Sequence, residues 1–274
     1  MTATNTLAYP IHSLREQVTA LEAAITLCLS DPKTKPVHRL RTTTRRIEGQ
    51  LAMLKIVPKV PRHRKQAGEA RKLLKKLRRA AGDVRDIDVQ LDLIDQIAGQ
   101  DDSSELKDGA AKLREKLEAD RKEHAEKLVK VLEKRQSEVT LALEELLKAL
   151  KPIETLALSA TELTKLAGRW YRKNLPPEVN KKEDESEYLH TVRKVAKLAR
   201  YIAENAPESA KAPRDLAAGF ESLQQSGGDW HDWMVLEEIA GENVGKSSAL
   251  TKVLARRNRT ALQVYRRHLG EFSG

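Results

Sequence analysis

The 274-residue chain has one cysteine, ten aromatic residues, few glycines and prolines (13 and 10), and no long apolar run. A membrane-spanning helix needs roughly 18–20 consecutive apolar residues, so a transmembrane reading is excluded. Cys28 has no intrachain partner, which rules out an internal disulfide framework and a thiolate metal centre and fits a reducing cytoplasm. Its helical-spacing neighbours Leu21, Ile25 and Leu29 make it a packed core residue. The opening residues lack the basic and apolar regions of a secretory leader, so a cytoplasmic protein is expected. There is no Walker loop, no glycine-rich phosphate turn and no nucleophile elbow. Sustained alternation of apolar and polar residues is missing too, which leaves an all-α class.

What the chain does have is charge. Lysine and arginine number 50 against 40 acids, a net of +10, unevenly placed. Residues 36–80 hold 15 Lys/Arg and only Glu48 and Glu69 as acids, a local net of +13. The remainder of the chain therefore sums to −3, and residues 81–110 alone to −7. A concentrated cationic segment points to an anionic partner.

Apolar spacing predicts helices almost throughout. Ser13 and Glu16 form a capping-box pattern ahead of the first helix. A second helix is expected over about 37–56, stopped by Pro58 and Pro61, and a third over 64–81, ended by Gly82. Asp83 would cap a fourth. Residues 104–150 read as one long helix or a helical hairpin. Further helices are expected near 159–174, 184–205 and 212–225, with another opening at Asp229 and the last at Ser247.

The chain also repeats itself. Val37-His38-Arg39-Leu40-Arg41 aligns with Leu189-His190-Thr191-Val192-Arg193 at an offset of 152. Gly82-Asp83-Val84-Arg85-Asp86 aligns with Gly228-Asp229-Trp230-His231-Asp232 at an offset of 146. Two related halves are expected, 11–150 and 151–272, packed as a single domain. On a helical wheel His38, Arg41 and Arg45 share an arc of about 60°, flanked by Arg39 and Arg46 and opposite Leu40, Ile47 and Leu51. The second block repeats this with His190, Arg193, Lys194, Lys197 and Arg200. Lys72, Lys75, Lys76 and Arg79 form a third cationic ridge, and arginines of the last helix a fourth. One such ridge alone is an ordinary solvated face; four ridges and a duplicated His-x-x-Arg favour binding. The groups after Gly82 and Gly228, Asp83, Asp86 and Asp88 and Asp229, His231 and Asp232, read as helix caps rather than metal ligands, and neither a metal nor a cofactor is expected.

Four blocks in order, VHRLRTTTRRIEGQLAML, AGDVRDIDVQLDLI, LHTVRKVAKLARYI and LQQSGGDWHDWMVLEEI, resemble the CHAD domain, the conserved histidine α-helical domain. The resemblance implies two four-helix halves about a pseudo-twofold axis, with basic side chains lining a central groove or pore. It further implies binding of inorganic polyphosphate and, in some members, association with polyphosphate granules. Matched position by position, it assigns that role to His38, Arg41, Arg45, His190, Arg193 and Lys197. Thr42–Thr44 depart from the family pattern, as does the acidic run from Glu183 to Glu187. The expected function is non-enzymatic polyphosphate binding. The alternatives are a nucleic-acid binder, which would use the same phosphate contacts, and a phosphohydrolase or phosphotransferase. Against the former, no aromatic lies in residues 36–80 to stack a base. Like charges nearby are expected to hold His38 and His190 below their ordinary pKa.

Overall fold

A computed structural model describes residues 7–100, 103–177 and 182–273, which are almost entirely helical. The helices are α1 (Pro10–Ser30), α2 (Thr34–Leu54), α3 (Arg64–Ala98), α4 (Ser104–Leu150), α5 (Ala160–Asn174), α6 (Lys182–Ala203), α7 (Lys211–Ala240) and α8 (Ala249–Ser273). Two residue pairs, β1 (Leu7–Ala8) and β2 (Leu158–Ser159), join antiparallel and tie the chain before α1 to the chain before α5. No helix among the described residues is long and apolar enough to cross a membrane.

Three expected boundaries move. The helix expected to stop at Gly82 continues for 35 residues as α3, and α7 runs through Gly227 and Gly228 for 30. An interior glycine costs a helix only about 1 kcal/mol. Buried side chains on both sides outweigh that: Leu77, Ala81, Val84 and Ile87 in α3, and Phe220, Leu223, Trp230 and Leu236 in α7. The groups after Gly82 and Gly228 are consequently mid-helix residues and cap nothing. Nor does Ser13 cap α1, which begins at Pro10; its hydroxyl accepts from Gln50 Nε2 at 2.7 Å instead. A capping box does form at the start of α5, where Ser159 and Glu162 satisfy each other's backbone N–H.

Residues 104–150 form one helix, about 70 Å long at 1.5 Å per residue. It serves two cores. Ala125, Leu128, Leu132 and Leu143 join α1, α2 and the first part of α3, whereas Leu106, Leu113 and Leu117 pack with Ile94 of α3, Leu236 of α7 and Leu254 of α8. A separate core binds α5 to α8 around Phe220, Trp230 and Tyr265.

The halves meet helix to counterpart: α2 touches α6, α3 touches α7 and α4 touches α8. At the first of these contacts Gly49 faces Tyr201, which is its own equivalent at the offset of 152. A Cβ on Gly49 would lie 2.5 Å from Tyr201 Cβ, an atom fixed to the α6 backbone. The small residue therefore sets the spacing of α2 and α6.

Gly49→Ala is expected to push these helices apart, destabilising the protein by about 1–3 kcal/mol as other overpacked cores do. Gly68→Ala provides the control, because nothing lies within 4 Å of that position on α3. There the helix gains about 1 kcal/mol. Thermal unfolding of the two variants should shift in opposite directions.

Candidate cation cluster between the halves

The α2–α6 contact carries like charges where most helix contacts carry apolar side chains. Arg41 and Arg45 project from α2, and Arg193 and Lys197, their equivalents in the repeat, from α6. Burial, reinforced by Arg45, Arg193, Arg41 and Arg200, pushes the Lys197 ammonium down to about 6. Burial and the nearness of Arg41 and Arg78 push Arg45 down to about 10. Arg193 is also lowered, chiefly by burial. The Nε atoms of Arg41, Arg45 and Arg193 are buried with no acceptor among the described residues. A buried donor left unpaired costs about 1–3 kcal/mol, so three in one place call for an acceptor.

The repeat explains how each arginine is held. Arg41 crosses to α3, where a Cβ on Gly82 would stand 3.5 Å from its Nε, and its guanidinium meets Asp86 at 3.1 Å. Arg193 lies the same way over Gly228 of α7, 3.5 Å from a Cβ there, with Asp232 as its nearest opposing charge. Glycine leaves room for the guanidinium, and one turn later the aspartate partly balances it. Burial raises the Asp232 carboxyl to about 6 despite Arg193, with Asp86 and Asp229 adding to the rise. Thr44, one of the unexpected threonines, is buried and donates back to the Arg41 carbonyl at 2.8 Å. It thus fits the core of α2 without an orphaned hydroxyl.

The histidines stand beside this cluster. His38 is lowered by burial first, then by Arg85 and Arg41. The expected direction holds, but the leading cause is burial, and one of the charges comes from α3. His190 packs edge-on against His231 at 4.6 Å between ring centroids and beside Trp230 at 5.1 Å. It is lowered by burial, Arg193 and Lys194. His231, the equivalent of Arg85, is held down at about 4 by burial, Arg193 and His190.

The remaining expected residues do not all converge. Arg39 and Lys194 are exposed on the rims of α2 and α6. Arg46 turns to a polar cleft with Gln50, Glu204 and Glu208. Arg200 is held at 2.9 Å by both Glu204 and Glu221 and stacks over Tyr201. Lys76 and Arg79 face α4, beside His124, Lys130 and Lys134, on the outside of the first half. Lys72 is exposed one turn before Lys76, while Lys75 falls on the row of Arg71 and Arg78. Of the acidic run before the second block, Glu185 pairs with Arg266 at 2.6 Å; the side chains of residues 182–184 lie outside those described.

Sequence reasoning overlooked Arg78, Arg85, His231 and the two aspartates as parts of the site. Arg78 approaches Arg45 and is tied to Glu48 at 2.5 Å. The signal for the others was in the repeat itself, because Arg85/His231 and Asp86/Asp232 are equivalent pairs. Among the described residues no group of three or more His, Cys, Asp or Glu is arranged to hold a metal ion.

Comparison with solved structures places this architecture. The CHAD domain from the plant Ricinus communis superposes with a TM-score of 0.62 at 16% identity, over 96% of this chain and 88% of that one. PptA from Streptomyces chartreusis gives a TM-score of 0.62 at 14% identity, over 96% of this chain and 98% of its own. At these identities the likeness is one of fold. No curated protein matches the sequence. The CHAD domain family does match it, over residues 12–241. With that match covering most of its length, and with its helical architecture shared by a solved CHAD domain, the chain belongs to the CHAD domain family.

Proposed function

We propose that the protein binds inorganic polyphosphate, without turning it over, at the cation cluster between α2 and α6. One observation carries the reading: four half-buried basic side chains from two equivalent helices, three of them arginines whose Nε has no acceptor among the described residues. Internal phosphates of a polyphosphate carry one negative charge each and several acceptor oxygens. Successive units along one chain can satisfy Arg41, Arg45, Arg193 and Lys197 in turn, and the guanidinium forks suit phosphate oxygens better than a point charge would. Family membership supports the choice of polyphosphate among polyanions, and granule association follows as a consequence of that affinity. The nearby carboxylates, Asp86 and Asp232, are taken up in balancing Arg41 and Arg193, which suits a binding role for the cluster.

The free protein holds repelling charges together, so stability and binding should trade against each other. Lys197→Met is expected to raise the unfolding temperature by a few degrees, about 1–2 kcal/mol. The same variant should weaken polyphosphate binding at least about tenfold. Competition by RNA at equal phosphate concentration discriminates the nucleic-acid reading, and release of orthophosphate the enzymatic one. A variant that bound polyphosphate like wild type would place the site elsewhere.

Binding should also take up protons. Lys197 is near 6 in the free protein and the bound anion raises it, so at pH 7.5 a mostly neutral amine becomes an ammonium. Affinity therefore rises as pH falls from the bound pKa toward the free one. Asp232 has the same sign, because an added anion raises a carboxyl, but its contribution belongs nearer pH 6. His38 and His190, both lowered, add theirs below their ordinary range. Calorimetry at pH 7.5 in buffers of different ionisation enthalpy should count this proton for the wild type and find it missing in Lys197→Arg, whose guanidinium stays charged. Equal uptake by both would contradict the assignment.

A further inference from the structure

The repeat places equivalent residues on either side of the cluster, but their charges differ. On the first side, Arg45, Glu48 and Ala52 of α2 and Arg71, Lys75 and Arg78 of α3 make four cations against one acid. Their equivalents, Lys197, Arg200 and Glu204 of α6 and Ala217, Glu221 and Gln224 of α7, make two against two. Arg200 on that second side is held by both of its acids. Of these two sides, the first is the one with an excess of positive charge.

A path out of the cluster on that side runs from charge to charge, with one ion pair at its middle. Arg45 feels Arg78, Arg78 is tied to Glu48, and Glu48 in turn acts on Arg71. Arg71, its guanidinium lowered mainly by burial, lies at the edge of a cavity of ≈ 950 Å³ where the chain passes from α2 to α3. Lys55, Arg62, His63, Arg64 and Lys65 line the rest of its charged surface, with Val57, Val60 and Ala67 as its apolar floor. Among the described residues, no carboxylate lines it. From the level of Gly82 to Arg71 the distance along α3 is about 16 Å, at 1.5 Å per residue. Glu48, the one acid on the way, is neutralised by Arg78.

We infer that this cavity is an extension subsite, in which a polyphosphate already seated on the cluster continues along the α2–α3 groove and ends among Arg62, Arg64 and Arg71. The inference rests on the proposed polyphosphate function and adds a direction and a length preference to it. A short oligophosphate fills the cluster alone. A long chain engages both places at once, and the second engagement is intramolecular, so it adds affinity through effective concentration. On the α6–α7 side the equivalent cations are balanced by acids, with Arg200 held by Glu204 and Glu221, so the extension is assigned to the α2–α3 side.

The test compares tripolyphosphate with a polyphosphate of about 100 units, a length far beyond the roughly 16 Å span between the two places. Arg62→Gln, Arg64→Gln and Arg71→Gln are combined in the full chain. As a control, Lys127→Gln, Lys130→Gln and Lys134→Gln remove the same charge from the outer face of α4. The cavity variant is expected to lose about tenfold in affinity for the long chain, about 1.4 kcal/mol, and to bind tripolyphosphate as before. Unchanged tripolyphosphate binding also shows that the variant is folded. Unchanged long-chain binding, or an equal loss in the α4 control, overturns the extension and leaves the cluster standing. A wild-type protein that binds neither ligand overturns the cluster and the extension with it.

Discussion

Like charges are packed against one another where the two halves of this protein meet, and the surrounding structure has to pay for that repulsion. Two unit charges 5 Å apart at an effective dielectric of about 20 repel by about 3 kcal/mol. A domain's whole stability is only about 5–15 kcal/mol. The fold tolerates the arrangement through three devices visible around it. Large apolar cores lie on both sides. Asp86 and Asp232 offset Arg41 and Arg193. The third device is Lys197, which at neutral pH gives up most of its charge. An anion that binds only the folded protein adds stability by mass action, and the proposed ligand would do so by supplying the acceptors these groups lack.

Duplication accounts for the cluster, and divergence accounts for its polarity. A single half could present Arg41 and Arg45 only on an outer helix face, open to water. Packing a second copy against it buries that face and doubles the charge in one step. Gly49 against Tyr201 shows how the copies then parted: one equivalent became the smallest residue and the other an aromatic, and they fit because they differ. The repeats differ likewise at Arg85 and His231, Arg78 and Gln224, and Lys75 and Glu221. The cluster kept its twofold character, whereas the paths leading from it did not.

Much of this was legible in the sequence, and the failures have physical causes. Helical spacing identified nearly every element, because a 3.6-residue apolar stripe is written directly in the order of residues. Gly82 and Gly228 misled, since a glycine that ends a helix and a glycine that admits a guanidinium read alike. The difference lies in an arginine 41 residues earlier in the first half and 35 earlier in the second, and both repeats already carried the pair, Arg41 with Gly82 and Arg193 with Gly228. Ser13 and Glu16 matched a capping box, but Pro10 started the helix sooner. The ridge on α3 was harder. Arg71 and Arg78 turn toward α2, and Lys76 and Arg79 toward α4, yet all four lie outside the apolar stripe. Only the position of the neighbouring helices decides which cations share a site.

The one substitution within the core of the cluster is also the most informative. Arg45 and Lys197 are equivalent in the repeat and similarly buried, but they respond to burial differently. The guanidinium falls to about 10 and stays charged at every physiological pH; the ammonium falls to about 6 and does not. An arginine at 197 would fix a fourth full charge in a space that already holds three. A neutral aliphatic residue there would lower the repulsion and leave nothing for a phosphate to meet. Lysine can do both jobs in sequence: its ammonium is pushed down to about 6 in the free protein, and the proposed anion would raise it again. Pairing one arginine with one lysine thus lowers the repulsion where the halves meet while keeping, for the proposed ligand, a group that can still take a positive charge.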